Sequence, residues 1–73
     1  MEKIYLPGDL LDVRLTQTGG KHNQGIGYLI DDAIIIVKNG KPFINKSIEV
    51  EVTEVLQTST QYNLIFARPT YLS

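Results

Sequence analysis

The sequence predicts an all-β fold, a small five-stranded closed barrel, and three observations carry the prediction. Apolar and polar residues alternate in several short runs, turn residues separate those runs, and no stretch places apolar residues at helical spacing. The first and fourth runs are long enough to curl, and five strands closed on themselves leave few exposed edges. At 73 residues, 42% hydrophobic and 21% charged, the chain has the size and composition of one folded domain. An SH3-like barrel satisfies the same periodicity, so alternation alone leaves the strand connections open.

Leu6-Pro7-Gly8 sets a rigid residue before a permissive one and marks the boundary between a lead-in at 1–7 and a domain at 8–69. The first strand is expected at 9–17, where Leu11, Val13 and Leu15 share one face and Asp12, Arg14 and Thr16 the other. Thr18 to Gly25 is polar and carries three glycines, which predicts an exposed loop with some left-handed backbone. A second strand at 26–30 and a third at 33–38 flank Asp31-Asp32 at the spacing of a tight hairpin. Both strands have apolar residues on both parities: Ile26, Tyr28 and Ile30 with Leu29, then Ile34 and Ile36 with Ile35 and Val37. Their period therefore does not say which face is inward.

Asn39-Gly40-Lys41-Pro42 breaks the pattern, and Phe43-Ile44 within a polar stretch predicts a short helical turn or loop that plugs one end of the barrel. The fourth strand starts near Ser47. Ile48, Val50 and Val52 alternate with Glu49, Glu51 and Thr53, but the next inward candidate is Val55, a one-residue slip that predicts a bulge near Thr53-Glu54. Thr58 to Gln61 is a polar turn, and Tyr62 to Ala67 is the fifth strand, with Leu64 and Phe66 on one face. Arg68-Pro69 ends it, and 70–73 form a tail.

Composition excludes much chemistry. Without cysteine there is no disulfide, no thiolate zinc site and no cysteine nucleophile, and one histidine cannot build a multi-histidine metal centre. The longest apolar run, Ala33 to Val37, is five residues where a membrane helix needs about twenty, and the first residues lack the pattern of a signal peptide. The expected location is cytoplasmic, with no direct membrane contact by this domain. Glu49, Glu51 and Asp31-Asp32 read as a solvated strand face and a turn rather than as metal ligands, and His22 lies in a glycine-rich loop without a group to orient it. Gly19-Gly20 and Gly25-x-Gly27 lead into a strand, whereas a phosphate-cradling loop leads into a helix; they serve to let the second strand curl. No nucleophile, base and orienting group come together, so the chain is expected to be no enzyme and to need no cofactor.

A net charge of -1 offers no global attraction for nucleic acid, so any such binding must use a local surface. Single strands are held by aromatic faces and scattered cations. Lys21, His22, Asn23 and Gln24 form a donor-rich loop ahead of Tyr28, Lys38, Lys41 and Lys46 flank the loop containing Phe43, and Tyr62 and Arg68 bracket the fifth strand. Tyr28 and Phe43 would serve a core equally well.

The run Gln24-Gly25-Ile26-Gly27-Tyr28-Leu29-Ile30-Asp31-Asp32, the run from Ile44 to Thr58 with its VTxVLQT pattern, and Ile65-Phe66-Ala67-Arg68 resemble the TRAM domain, most closely the one that ends bacterial PIN/TRAM-domain proteins. Leu6-Pro7-Gly8-Asp9 is similar to the segment joining the PIN nuclease to that barrel, so the resemblance covers about residues 6–69. It implies an OB-like barrel that binds RNA, tRNA or another structured RNA included, as an accessory to a catalytic domain. Catalysis would then belong to acidic residues of a PIN domain, and the parent protein of such a module is often anchored by N-terminal membrane helices. The sequence departs from the family at Ala33 and Asn45, where glycine is usual, and at the last hairpin, Ser59-Thr60-Gln61-Tyr62-Asn63, which lacks the usual cation.

The resulting expectation assigns phosphate contacts to Lys21, Lys38 and Arg68, stacking to Tyr28 and Tyr62, and hydrogen bonds to bases or 2'-hydroxyls to Asn23 and Gln24, with His22 in the same loop. A rival expectation is a protein-interaction or oligomerisation barrel. It draws on the Glu49, Glu51 and Glu54 ladder, which would repel phosphates on its side.

Overall fold

A computed structural model describes residues 4–20, 23–29, 33–57 and 63–70. Its strands are β1 (Leu10–Thr18), β2 (Gly25–Tyr28), β3 (Ile34–Val37), β4 (Ser47–Gln57) and β5 (Asn63–Pro69), with a short 3-10 turn at Lys41–Phe43 between β3 and β4. The strands follow one another around the wall as β1-β2-β3-β5-β4, and β4 returns to β1 to close the barrel. Every pairing is antiparallel except β3 with β5. This order is that of an OB-like barrel, which resolves the connectivity that alternation left open. The Asp31-Asp32 hairpin and the turn at Thr58 to Gln61 lie outside the described residues. Among those residues, no helix is long and apolar enough to cross a membrane.

The strand limits differ from expectation at several ends: β1 runs one residue later, β2 ends at Tyr28 instead of 30, β3 spans Ile34–Val37 instead of 33–38, and two further shifts have a visible cause. β2 starts one residue early, at Gly25, because Gly25 pairs with Thr18 and Val37 on either side. β5 runs on through Arg68 and Pro69, which pair with Glu51 and Val50. The last β3 partner, Val37, is already spent opposite Ala67, so Pro69 has a strand on one side only, a place where its missing N–H costs little.

The interior settles the ambiguous parity. Ile35 and Val37 of β3 join Val13, Leu15, Ile48, Val50, Val52, Ile65 and Ala67 in one core, together with Tyr5 of the lead-in and Ala33. On β2 the inward positions are Gly25 and Gly27. A Cβ on Gly27 would stand 2.5 Å from the Arg14 carbonyl oxygen, and one on Gly25 would stand 2.7 Å from Leu15 Cδ1. β1 thus lies close against β2 where their register shifts, with the Arg14 carbonyl over Gly27 and the Leu15 side chain over Gly25. That is the tight curl expected of these glycines.

The β4 bulge falls where the alternation slips. Val52 faces Ala67, and the next pair is Glu54 with Phe66, leaving Thr53 over. Its hydroxyl donates to the Phe66 carbonyl at 3.1 Å, so the bulge keeps a bond to β5. Phe43 and Ile44 pack against the core, as expected of the plug. Asn45, which stands where the family usually has glycine, has φ 69°, and its N–H donates to the Leu15 carbonyl at 2.6 Å. Asparagine enters this left-handed region more readily than most residues, so the departure keeps the backbone geometry.

Candidate nucleic-acid interface

Outward positions on β2, β3, β5 and β4 line up in rows because their registers agree. The middle row is Ile26, Ile36, Phe66 and Glu54; the lower row is Tyr28, Ile34, Leu64 and Leu56. One step beyond the inward pairs Gly25–Val37 and Val37–Ala67 come Gln24, Lys38 and Arg68, with Glu51 opposite Arg68. A polar, charged row therefore lies above two rows that are mainly apolar, all on the outer surface and running around four of the five strands.

Each row has its own chemistry. Tyr28 is 57% exposed, and its hydroxyl accepts a 2.7 Å hydrogen bond from Gln17 Nε2, which holds the ring on the outer surface. Leu56 at the far end is 42% exposed. In the upper row the Lys38 backbone N–H donates to the Ala67 carbonyl at 2.9 Å while its side chain is exposed. Arg68 pairs with Glu51 at 3.0 Å, so that cation is partly neutralised where it stands.

Between the upper and middle rows lies an open groove of about 490 Å³, a volume ordinary for a small-ligand site. Ile36 and Phe66, side by side in register, make its apolar floor. Asn23, Gln24, Lys38 and Asn39 stand on one side, and Thr53 and Glu54 on the other. The loop after β1 is tied down here: Gly19 N–H donates to the Gln24 carbonyl at 2.9 Å, and Lys41 N–H to the Asn23 carbonyl at 2.9 Å. Asn23 and Asn39, on the same side of the groove, both have φ 60°, which turns the chain sharply at each.

Of the residues singled out in the sequence, Asn23, Gln24 and Lys38 meet in this groove, and Tyr28 and Arg68 flank it on the same wall. Lys21, His22 and Tyr62 lie outside the described residues. Sequence reasoning missed Ile36, Asn39, Thr53, Glu54 and Phe66 as groove residues. The available signal was the slip at Thr53-Glu54, because the bulge is what sets Glu54 opposite Phe66. Of the glutamate ladder, Glu51 is paired with Arg68, while Glu49, whose Oε1 accepts from the Thr70 hydroxyl at 2.9 Å, and Glu54 keep their charge. Among the described residues no group of histidines and carboxylates is arranged to hold a metal ion.

The TRAM domain family model matches residues 5–61, a span that takes in Tyr5, the β4 bulge and the groove residues from Asn23 to Glu54, and stops before Phe66. The chain belongs to the TRAM domain family. TRAM domains are in general RNA-binding modules without catalytic residues of their own. This TRAM domain is 42% identical, over 99% of its length, to the PIN and TRAM-domain containing protein YacL of Bacillus subtilis. It is 41% identical, over 90% of its length, to a PIN and TRAM-domain containing protein of Synechocystis, and 39% identical, over 85%, to a protein of Thermus thermophilus. It spans 19% of the first relative, 18% of the second and 66% of the third. Those PIN and TRAM-domain relatives thus carry a linked PIN domain in the remainder of their chains. No solved structure matches this TRAM domain.

Proposed function

We propose that this TRAM domain is an accessory module that binds RNA, single-stranded or structured and tRNA among the candidates, across the outer wall of β2, β3 and β5, and presents it to a linked PIN nuclease domain. The observation that carries this reading is the gathering of Gln24, Lys38, Arg68, Phe66 and Tyr28 on one wall, which offers cations for phosphates beside aromatic faces for bases. The strand 2–3 face is also where OB barrels engage oligonucleotides. Fluorescence anisotropy of labelled single-stranded RNA, single-stranded DNA and tRNA across a salt series tests it. At about -0.7 per phosphate neutralised, Lys38 alone predicts a log–log slope of about -0.7, and Arg68, once it leaves Glu51 for a phosphate, brings it to about -1.4. Absence of binding at low salt and high protein concentration would refute it.

A second reading has its own support. The lower row, Tyr28, Ile34, Leu64 and Leu56, is apolar and partly exposed, which suits contact with a linked PIN domain or with a second copy. Light scattering separates these, since a monomer at high concentration removes self-association.

A further inference from the structure

Resting on the RNA reading above, we propose that the groove over Phe66 is a base-reading site selective for guanine in single-stranded RNA. Its floor, Ile36 and Phe66, accepts the face of any base and so confers grip without choice. Choice must come from the walls.

The β4 wall is an acceptor. The Thr53 hydroxyl is committed to the Phe66 carbonyl, which leaves the Glu54 carboxylate as the polar group presented there, and none of the described residues donates to it. A carboxylate offers two oxygens and no donor. Guanine is the one standard base with two adjacent donors on its Watson–Crick edge, N1–H and N2–H2. Adenine and cytosine offer one exocyclic amine beside an acceptor, and uracil's single N–H lies between two carbonyls that a carboxylate repels. The facing wall is rich in donors. The side-chain amides of Gln24 and Asn39 stand on the side where guanine's O6 and N7 need donors. Acceptor wall, apolar floor and donor wall thus match the polarity of guanine from edge to edge, and the Lys38–Arg68 row continues outward to take the adjoining phosphate.

The test compares binding of this chain to oligouridine, to oligouridine with spaced guanosines, and to the same strand with inosine or adenosine in place of guanosine. Guanosine should bind about tenfold more tightly than uridine, the size of one good bidentate contact, and inosine, which lacks the N2 amine, should lose most of that gain. Glu54→Gln, which keeps the shape, removes the charge and replaces one of the two acceptor oxygens by an amide NH2, should bring the guanosine-to-uridine ratio close to one. Because inosine needs no variant, the result does not depend on how Glu54→Gln folds. Equal binding of guanosine and uridine strands, or a preference that survives both changes, would overturn the base-reading site and leave RNA binding standing. No binding of any strand would overturn both.

Discussion

Arg68 and Glu51 face each other across the β4–β5 ladder, and their side chains meet at 3.0 Å with the arginine 63% and the glutamate 35% exposed. A pair so open to water is worth less than about 1 kcal/mol. Glu51→Gln should therefore leave stability nearly unchanged in urea titration while freeing the guanidinium. RNA affinity at low salt should rise, with a steeper salt slope; a flat response would take Arg68 out of the phosphate-contacting set.

Gly27→Ala should destabilise the barrel by about 3 kcal/mol, because its new methyl would press on the Arg14 carbonyl oxygen, a backbone atom that cannot turn aside. Gly20→Ala meets nothing within 4 Å and should stay within about 0.5 kcal/mol of the parent. Thermal or urea melts of the two variants check the contrast.

At Asn45 the left-handed backbone governs the outcome. Asn45→Gly should be neutral, whereas Asn45→Val should cost about 2 kcal/mol through strain at a β-branched residue. Equal stability of the two variants would show that the turn into β4 readily adopts another geometry.

Tyr28→Phe removes an exposed hydrogen bond from Gln17 but keeps the ring, and should bind RNA as the parent does. Tyr28→Ala should weaken binding by about 1 kcal/mol, the lower end of what one stacked base contributes. If Tyr28→Ala binds RNA normally but changes the mass seen by light scattering, the lower row is a protein contact.

Much of this architecture was legible from period-2 alternation. The five strands, the plug at Phe43-Ile44 and the bulge at Thr53-Glu54 follow from where apolar residues recur and where they slip. The inward face of β2 and β3 was not legible, and the reason is physical. Gly25 and Gly27 contribute no side chains to the interior, so the apolar residues of β2 are the outward ones, against the usual sense of the signal. On β3 and β5 both faces carry apolar residues, Ile35, Val37, Ile65 and Ala67 inward and Ile36 and Phe66 outward, so the two that floor the groove look like core. Gln24, Tyr28, Lys38 and Arg68 could be named individually, but their common wall depends on β3 and β5 running parallel, a pairing between strands far apart in sequence.

The close approach of β1 to Gly25 and Gly27 has a consequence for how this protein can change. With Leu15 at one glycine and the Arg14 carbonyl at the other, the inside of β2 is closed to larger side chains, while Ile26 and Tyr28 point outward under no such constraint. Stability and the proposed RNA contacts thereby rest on alternate residues of the same strands. On that proposal, a change of base preference needs outward substitutions only, with the core left as it is.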